Sequence, residues 1–320
     1  MKYNILITSA GRRVSLVKAF QKELGKLFQG HHVYATDFNP NLSAACNVAY
    51  KSFGVSKVNS ENYIDELLEI CLNNNVGMII PTIDTELSIL SQNKNLFKTY
   101  GINIVVSDTE FIDKCRDKFQ INDFFIEKNI AIPKPISKFD PTFPIFIKPF
   151  DGSLSVDTFL IKSYQELTDA HRLNDRLMFM EYISPNDYDE YTVDMYYNRD
   201  SILSCLVPRQ RIEIRTGEIN KGITRKNKIV DFVKDRLHTI IGARGCLTLQ
   251  VFLEKEGEKI IGIEINPRFG GGYPLSYLAG ANFPKWLIEE YFLENKISFF
   301  DEWKSNLLML RYDAEITIQQ

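Results

Sequence analysis

The feature of this 320-residue sequence that most restricts its fold is the segment CLTLQVFLEKEGEKIIGIEINPR, residues 246–268, in which apolar and polar residues alternate. A turn centred on Gly257 would fold the segment into a β-hairpin, with Gln250 opposite Glu264. Because successive side chains of a strand point to opposite faces, one face of the hairpin is then wholly apolar and belongs to the core. The residues of that face are Leu247, Leu249, Val251, Leu253, Ile261, Ile263 and Ile265.

The other face of the hairpin gathers polar side chains in one patch, because Thr248 would face Asn266. The patch then comprises Gln250, Glu264 and Asn266, three oxygen ligands with a single negative charge. Mg²⁺ binds oxygen ligands and commonly uses one or two carboxylates together with the phosphates of a substrate. The glycine run 270–272 after the patch leaves bare backbone that a ligand can approach closely. The segment therefore predicts a metal and phosphate site, with a plain polar outer face as the alternative.

The rest of the sequence divides into two kinds of pattern. Residues 1–107 alternate strand and helix patterns, including strands at 4–10 and 102–108, which predicts βαβ units around a parallel sheet. A single long helix is predicted over 109–129. The second half mixes hairpins and helices, so the fold class is α/β followed by α+β.

The predicted parallel sheet carries polar residues at the ends of its strands. The turn TSAGRR places Ser9 and Arg12 where the first strand passes into a helix, a position suited to an anion. Asp84 and Glu86 follow a later strand. Open α/β sheets bind ligands at the carboxyl ends of their strands, so these four residues are candidate substrate residues. Ordinary helix capping and surface charge explain them equally well.

A loop and a basic segment in the second half suit phosphates. In IKPFDGSLSVD, Lys148 ends a buried strand, and Ser153 and Ser155 follow in a Gly-Ser loop whose donors could bind an anion. A simple hairpin turn with an exposed lysine is the alternative. Further along, Arg209, Arg211, Glu213 and Arg215 alternate with other residues and would point the same way on a strand, with Lys221 beyond them. Guanidinium groups in a row fit a polyphosphate or a carboxylate substrate, whereas a solvated charged ribbon is the plainer explanation.

Composition excludes several other classes of protein. The formal net charge of −3 gives no general case for binding nucleic acid or a membrane surface, and no segment is apolar enough for a membrane span or a signal sequence. Five scattered cysteines without CxxC spacing predict a reducing cytoplasm and no zinc site. A nicotinamide oxidoreductase is disfavoured because the first strand–helix turn has Gly11 alone and no GxGxxG pattern.

Taken together, these segments resemble the ATP-grasp superfamily, and in particular a single-copy ligase similar to the large subunit of carbamoyl-phosphate synthetase. The resemblance rests on the order and spacing of CRDKFQ (115–120), FIKPFDGSLS (146–155), FMEYI (179–183), DEYTVD (189–194) and EINPRFGGG (264–272). It implies a Rossmann-like substrate domain over 1–107, an ATP-grasp small subdomain with a linker helix over 108–183, and a C-terminal subdomain and tail over 184–320.

The same resemblance implies a role for each candidate residue, with ATP gripped between the two ATP-grasp subdomains. Lys118 and Lys148 would hold the phosphates under a lid that includes Ser153 and Ser155, and Arg268 would steady the transferred phosphate beside Lys148. The implied adenine and ribose contacts are Glu181, Tyr182, Ile183 and Glu190, and the implied ligands of Mg²⁺ or Mn²⁺ are Gln250, Glu264 and Asn266. The basic segment is interpreted from its own residues and not from the resemblance: Arg209 and Arg211 are expected at the nucleotide, and Arg215 and Lys221 at the substrate.

The activity implied is ATP-dependent ligation of a carboxylate to an amine or ammonia through an acyl-phosphate, with ATP and two Mg²⁺. Two alternatives remain open: phosphorylation of a small carboxylate such as bicarbonate, or a nucleotide-binding partner subunit without turnover. The expected partners are small-molecule carboxylate and amine substrates and a possible second copy of the chain, without nucleic acid or membrane.

Overall fold

The first part of the chain folds into a five-stranded parallel sheet flanked by helices. The structure is a computed structural model that describes residues 2–152, 156–215 and 217–319. The elements of this part are β1 (Asn4–Ile7), α1 (Val14–Leu27), β2 (Val33–Asp37), a 3₁₀ turn (Pro40–Leu42), α2 (Ala44–Val48), β3 (Ser52–Gly54), α3 (Tyr63–Asn73), β4 (Val76–Ile80), α4 (Asp84–Gln92), α5 (Lys94–Thr99) and β5 (Asn103–Ile104). The strand predicted over 102–108 therefore pairs over two residues only.

The strand order of this sheet is β3-β2-β1-β4-β5, as in Rossmann-like folds. Strands β1 and β4 lie side by side at its centre and are buried along their whole length. After β1 the chain continues to β2 on one side of the sheet, and after β4 it continues to β5 on the other side. The carboxyl ends of β1 and β4 therefore form the switch point at which such sheets bind ligands. Thr82, just after β4, donates from Oγ1 to the carbonyl oxygens of Thr8 (3.0 Å) and Ser9 (2.7 Å), which fixes the two chain ends against each other.

Three helices and a small antiparallel sheet follow. Their elements are α6 (Thr109–Arg116), α7 (Lys118–Glu127), β6 (Ile145–Pro149), β7 (Phe159–Ile161), α8 (Asp169–Leu173) and β8 (Leu177–Glu181). The sheet order is β7-β6-β8, with Ile145 and Ile147 at the centre of its buried side.

The helix predicted over 109–129 is in fact two helices, because Asp117 interrupts it. Asp117 has extended backbone dihedrals, and its carboxylate accepts hydrogen bonds from the N–H groups of Phe119 (2.8 Å) and Gln120 (3.2 Å). An aspartate that caps a new helix in this way offers the backbone an alternative to continuing the old one. The break places Lys118 at the first position of α7.

The last part of the chain builds a six-stranded antiparallel sheet. Its elements are β9 (Tyr188–Tyr197), β10 (Leu203–Arg215), β11 (Glu218–Thr224), α9 (Ile229–Leu237), β12 (Gly245–Glu254), β13 (Ile260–Asn266), α10 (Tyr273–Ala279), α11 (Phe283–Phe292) and β14 (Leu308–Leu310). The sheet order is β13-β12-β9-β10-β11-β14. Among the helices of the described residues, none combines the length and the apolar character needed to cross a membrane.

The hairpin predicted from the sequence is formed by β12 and β13, and its register is right only beside the polar patch. Gln250 pairs with Glu264, as expected, but Val251 pairs with Gly262, so a β-bulge leaves Ile263 as an extra residue. Gly262 then occupies the core face, where a Cβ atom would lie 2.9 Å from the Phe125 ring. The residues of β13 on the core face are therefore even-numbered before the bulge and odd-numbered after it.

The reversal corrects the prediction that every odd-numbered residue of the hairpin packs in the core. Ile263 instead lines a cleft, whereas Ile261 stays fully buried although it lies beyond the bulge and pairs with Phe252. Ile260 takes the core position beside Leu253. The remaining odd positions, Leu247, Leu249, Val251, Leu253 and Ile265, do belong to the core.

Candidate active site

A single cleft joins all three parts of the fold. It has a volume of ≈ 450 Å³, and its walls include Asp84 from the start of α4, Lys148 from the small sheet and Glu264 from the large sheet. The cleft runs from an apolar end, between the small and the large sheet, to a strongly charged end at the switch point of the parallel sheet.

Two lysines line the middle of the cleft, Lys118 from the start of α7 and Lys148 from the small sheet. The Lys118 ammonium group donates to the carbonyl oxygen of Gly152 (2.5 Å). Lys148, near the end of β6, has no hydrogen-bond or ion-pair partner among the described residues. Burial lowers the pKa of Lys148 to about 8; Glu264 opposes this change and Lys118 adds to it. The predicted lid residues Ser153 and Ser155 lie outside the described residues.

Across the cleft from these lysines, the hairpin presents the polar patch predicted from the sequence. Glu264 Oε1 accepts hydrogen bonds from the side-chain amides of Gln250 (3.1 Å) and Asn266 (2.9 Å), and Oε2 accepts none from the described residues. Rotation of either amide by half a turn would present its oxygen to the same space, since amide oxygen and nitrogen occupy equivalent positions. The described residues contain no group of three or more His, Cys, Asp or Glu that could hold a metal, so this patch offers one acid with two amides.

Beside the patch, Glu190 and Arg211 form an ion pair of 3.0 Å. Arg211 also donates to Gln250 Oε1 (3.4 Å) and to the carbonyl oxygen of Gly217 (3.1 Å). Its Nε is buried and has no partner within the described residues, so it is a donor available to a ligand. Burial raises the pKa of Glu190, Arg211 opposes that shift, and Glu264 adds to it.

The apolar end of the cleft is closed by the residues that follow β8. Glu181 is anchored there, because its carboxylate accepts a hydrogen bond from the N–H of Lys134 (3.0 Å). The peptide groups of Tyr182 and Ile183 make no hydrogen bond within the described part of the chain, so their donors and acceptors remain free for a ligand. The surrounding apolar side chains are Pro133, Phe146, Met180, Phe252 and Ile263.

Arg209 lies deeper than the sequence suggested. Its side chain is 1% exposed and forms two contacts with the fully buried Asp194, Nε to Oδ2 at 2.7 Å and Nη2 to Oδ1 at 2.9 Å. Ser276 also donates to Asp194, at 2.5 Å. The remaining Nη1 of Arg209 lies against Gly272, whose missing side chain makes the approach possible. Arg209 therefore supports the glycine run and offers the cleft one nitrogen only.

The charged end of the cleft begins at Arg268, directly after the patch. Arg268 donates from Nε (3.0 Å) and Nη2 (2.6 Å) to the same carboxylate oxygen of Asp84. This pair links the loop after β13 to the start of α4, and both residues line the cleft. The backbone is held as well, since Thr248 donates to the carbonyl oxygen of Arg268 (3.0 Å).

Three charged residues at this end were missed by the sequence analysis. Arg13 and Glu218 line the cleft, and Arg311 contacts Glu218 from the segment after β14. Burial favours the neutral form of Glu218, but Arg13 and Arg311 outweigh it and lower its pKa. Arg13 could have been found from its place beside Arg12 in TSAGRR, whereas nothing in the local sequence marks Arg311.

The other predicted substrate residues lie outside the lining of the cleft. Arg12 is exposed, so the guanidinium at the switch point comes from Arg13. Glu86 is fully buried, where it accepts hydrogen bonds from the N–H groups of Thr82 and Ile83 and from Ser9 and Tyr63, and burial raises its pKa. Both Glu86 and Ser9 thus serve the internal structure of the domain.

The predicted row of guanidiniums is broken. Register shifts in β10 fall on both sides of Glu213, so the residues beyond them no longer share a face with Arg211. Arg215 pairs with Asp313 at 3.0 Å and Lys221 with Glu213 at 2.6 Å, and neither Arg215 nor Lys221 lines the cleft.

Comparisons with known proteins agree with this architecture. Residues 5–105 match the family model "PylC-like, N-terminal domain", and residues 174–309 match "ATP-grasp in the biosynthetic pathway with Ter operon". A sequence search of curated proteins gives no significant match.

Many solved structures share the fold, among them the following three. The biotin carboxylase domain of 2-oxoglutarate carboxylase from Hydrogenobacter thermophilus, complexed with MgADP, ADP and bicarbonate, is 12% identical, with a TM-score of 0.71 over 96% of this chain and 74% of that chain. N5-carboxyaminoimidazole synthetase from Staphylococcus aureus, complexed with ADP, is 16% identical, with a TM-score of 0.67 over 96% and 80%. L-amino acid ligase from Bacillus licheniformis is 14% identical, with a TM-score of 0.65 over 90% and 73%.

The fold places a Rossmann-like domain before two further sheets that enclose the cleft. Residues 174–309 match an ATP-grasp family, and the chain as a whole shares the fold of these solved structures. The predicted family and fold class are confirmed, and at the level of the superfamily so is the prediction of an ATP-grasp ligase.

Proposed function

We propose that the chain is an ATP-dependent ligase that phosphorylates a carboxylate and joins the resulting acyl-phosphate to an amine or ammonia. The observation that carries the proposal is the pairing, across one cleft, of the unpartnered Lys148 ammonium with the single-acid patch around Glu264. A triphosphate suits this space because its negative charges would pair with the lysines and would complete the ligands of a metal ion at the patch. The complexes of related folds with ADP and MgADP support the same choice.

The residues present fit ATP and Mg²⁺ as ligands. The free peptide groups of Tyr182 and Ile183 suit the edge of an adenine ring, and Glu190 with the unpartnered Arg211 Nε suits the ribose and the adjoining phosphate. Glu264, with Gln250 and Asn266 after rotation of their amides, would hold Mg²⁺. Bound there, Mg²⁺ would neutralise phosphate charge and help to orient the phosphates.

The chain's own residues then have separate tasks in the reaction. Lys118 and Lys148 hold the phosphates and stabilise the charge that grows on them as a carboxylate oxygen attacks the γ-phosphorus. One P–O bond forms and the bond to ADP breaks, so ADP leaves with the electron pair. The lone pair of a neutral amine then attacks the acyl carbon, the bond to phosphate breaks, and the amine releases a proton.

Arg268 is suited to steady both steps from the charged end of the cleft. Its guanidinium is oriented by the two contacts with Asp84, so it does not have to be ordered when the substrate binds. The cleft walls, which come from all three parts of the fold, would limit the access of water to the acyl-phosphate.

The test is a screen for ADP release with MgATP and pairwise combinations of carboxylic acids and amines, followed by mass spectrometry of the products. Hydroxylamine added in place of the amine should trap the acyl-phosphate as a hydroxamate. Glu264→Gln should lower turnover by at least about 100-fold, because it removes the only carboxylate of the patch. Glu256→Gln, which removes an exposed carboxylate from the turn of the same hairpin, is the matched control.

Binding provides a readout that does not depend on turnover. Calorimetry with ADP should show Mg²⁺-dependent affinity in the wild type and in Glu256→Gln, and a loss of that dependence in Glu264→Gln. Nucleotide binding without acid-dependent ADP release from any member of the panel would contradict the proposed ligase. Full turnover by Glu264→Gln would contradict the proposed role of the patch.

A further inference from the structure

The charged end of the cleft contains one carboxylate that two guanidinium groups share. Glu218 Oε1 lies 3.5 Å from Nη1 of Arg13, and Oε2 lies 3.0 Å from Nη1 of Arg311. Arg311 also donates to the carbonyl oxygens of Ile219 (3.1 Å) and Gly271. The three charged residues, Arg13, Glu218 and Arg311, are called the switch-point triad below; they come from the first helix turn, the start of β11 and the segment after β14.

The charges of this end of the cleft do not balance. Within the described residues, Arg268 is the only arginine in contact with the carboxylate of Asp84, and Arg209 the only one in contact with that of Asp194; Asp84 also acts on Arg13 from beyond contact distance. Arg13 and Arg311 share contact with Glu218 alone among the described carboxylates, so these contacts provide one carboxylate for two positive charges. A fixed excess of positive charge in a partly closed cleft attracts a further anion.

The triad lies on the same strip of backbone as the proposed reaction centre. A Cβ atom on Gly271 would lie 2.5 Å from Glu218 Oε1 and 2.8 Å from Arg13 Nη1, so both side chains touch the glycine run that follows Arg268. Burial lowers the pKa of Arg13, and the nearby positive charge of Arg268 adds to that shift. A small molecule whose carboxylate meets Arg268 could therefore reach the triad with its other end.

A ligand can also gain access to the triad. The side chains of Arg13, Arg311 and Glu218 are 20%, 32% and 39% exposed, in contrast to the closed Arg209–Asp194 pair at 1% and 0%. If a ligand carboxylate takes the place of Glu218, both guanidinium groups keep a carboxylate in contact, so the exchange leaves neither of them without a partner.

We propose that Arg13 and Arg311 bind a second anionic group of the acid substrate, and that Glu218 occupies this subsite until the substrate arrives. The substrate class is then an acid with two anionic groups, one phosphorylated beside Arg268 and the other, a carboxylate or a phosphate, held at the triad. The inference rests on the proposed ligase function, because it assigns the acid of that reaction to a chemical class.

The test compares acids of equal chain length in the ADP-release assay: a monocarboxylic acid, the dicarboxylic acid and the corresponding phosphorylated acid. The wild type should have a KM at least about tenfold lower for one of the dianionic acids than for the monoanion. The two dianions distinguish a carboxylate from a phosphate at the triad. Arg13→Gln and Arg311→Gln should each raise the KM for the preferred dianion by about 10- to 100-fold, with little change in the KM for ATP.

Glu218→Gln provides an opposite and more specific readout, because it removes the internal competitor and keeps the shape of the side chain. It should lower the KM for the dianion, whereas a purely structural role of Glu218 predicts no gain. Arg236→Gln, which removes a half-buried guanidinium of α9 that does not line the cleft, is the charge-matched control. Urea unfolding of each variant checks that the fold is retained.

Several outcomes would overturn the proposal. They are a preference for the monoanion or for a substrate with an ammonium group, a rise in KM for the dianion in Glu218→Gln, or a larger effect of Arg12→Gln than of Arg13→Gln. If no acid supports ADP release, the ligase function fails instead, and calorimetry with the dianions still decides the subsite. Tighter dianion binding by Glu218→Gln than by Arg311→Gln would then support the subsite, and no binding by either would refute it.

Discussion

Replacement of Asp194 by alanine should destabilise the chain by about 3–5 kcal/mol, because it leaves the Arg209 guanidinium buried without a counter-charge. The two side chains are 0% and 1% exposed, so water cannot take the place of the lost carboxylate. Three hydrogen bonds are lost together, two from Arg209 (2.7 and 2.9 Å) and one from Ser276 (2.5 Å). A loss of this size is a large part of the roughly 5–15 kcal/mol that stabilises a typical domain.

Three companion variants separate the charge from the packing. Ser276→Ala removes one hydrogen bond and should cost about 1 kcal/mol. The double variant Arg209→Met with Asp194→Leu replaces the ion pair by apolar side chains, and it should recover most of the stability that Asp194→Ala loses. It should nevertheless turn over slowly, because no nitrogen then lies against Gly272.

Urea unfolding followed by far-UV circular dichroism measures these differences, with ADP release measured on the same samples. The reasoning would be refuted if Asp194→Ala lost less than about 1 kcal/mol, since a buried unpaired guanidinium cannot be that cheap. A double variant no more stable than Asp194→Ala would likewise show that packing, and not charge pairing, determines the effect.

Three further predictions concern the cleft. Because burial lowers the pKa of Lys148 to about 8, its ammonium group loses its proton as the pH rises through that value. Competitive acetylation in EDTA, measured by mass spectrometry, should therefore show the reactivity of Lys148 reaching half its plateau near pH 8. An inflection above pH 10 would contradict this. Gly272→Ala should cost about 1–3 kcal/mol in urea unfolding, since the new methyl group meets Arg209 Nη1, and a neutral substitution would show that the guanidinium moves freely. Asp117→Ala should cost about 1 kcal/mol by removing the cap of α7 and should raise the KM for ATP by loosening Lys118, whereas Asp117→Ser, which keeps a capping oxygen, should retain both properties.

The polar patch could be predicted from the sequence because its geometry depends on local pairing alone. Alternation of apolar and polar residues sets the faces of the hairpin, and a turn at Gly257 sets Gln250 opposite Glu264. The same reasoning fails at Ile263, because the bulge there depends on how Gly262 packs against Phe125 on α7. Contacts between elements distant in the sequence are not encoded in the period of one strand.

The charged end of the cleft could be predicted only in part for the same reason. Asp84 and the neighbourhood of Arg12 follow from the rule that open sheets bind ligands at the carboxyl ends of their strands. Whether Arg12 or Arg13 lines the cleft depends on the direction in which the chain turns from β1 into α1. A shift of one residue in that turn would exchange the two side chains, and the sequence does not determine that direction. The burial of Arg209 could not be predicted, because its partner Asp194 lies on a neighbouring strand and the sequence does not show that the two strands pair.

The switch-point triad has a consequence for the order in which the protein is assembled during synthesis. The parallel sheet that presents Arg13 contains only early residues and can form while later ones are still being translated, since domains generally fold as units from the N-terminus. Glu218 follows much later, and Arg311 is made after every strand of the large sheet. On the proposals above, a nascent chain could form the nucleotide site before both guanidiniums of the triad are present, so the proposed acid subsite would be completed after the nucleotide site.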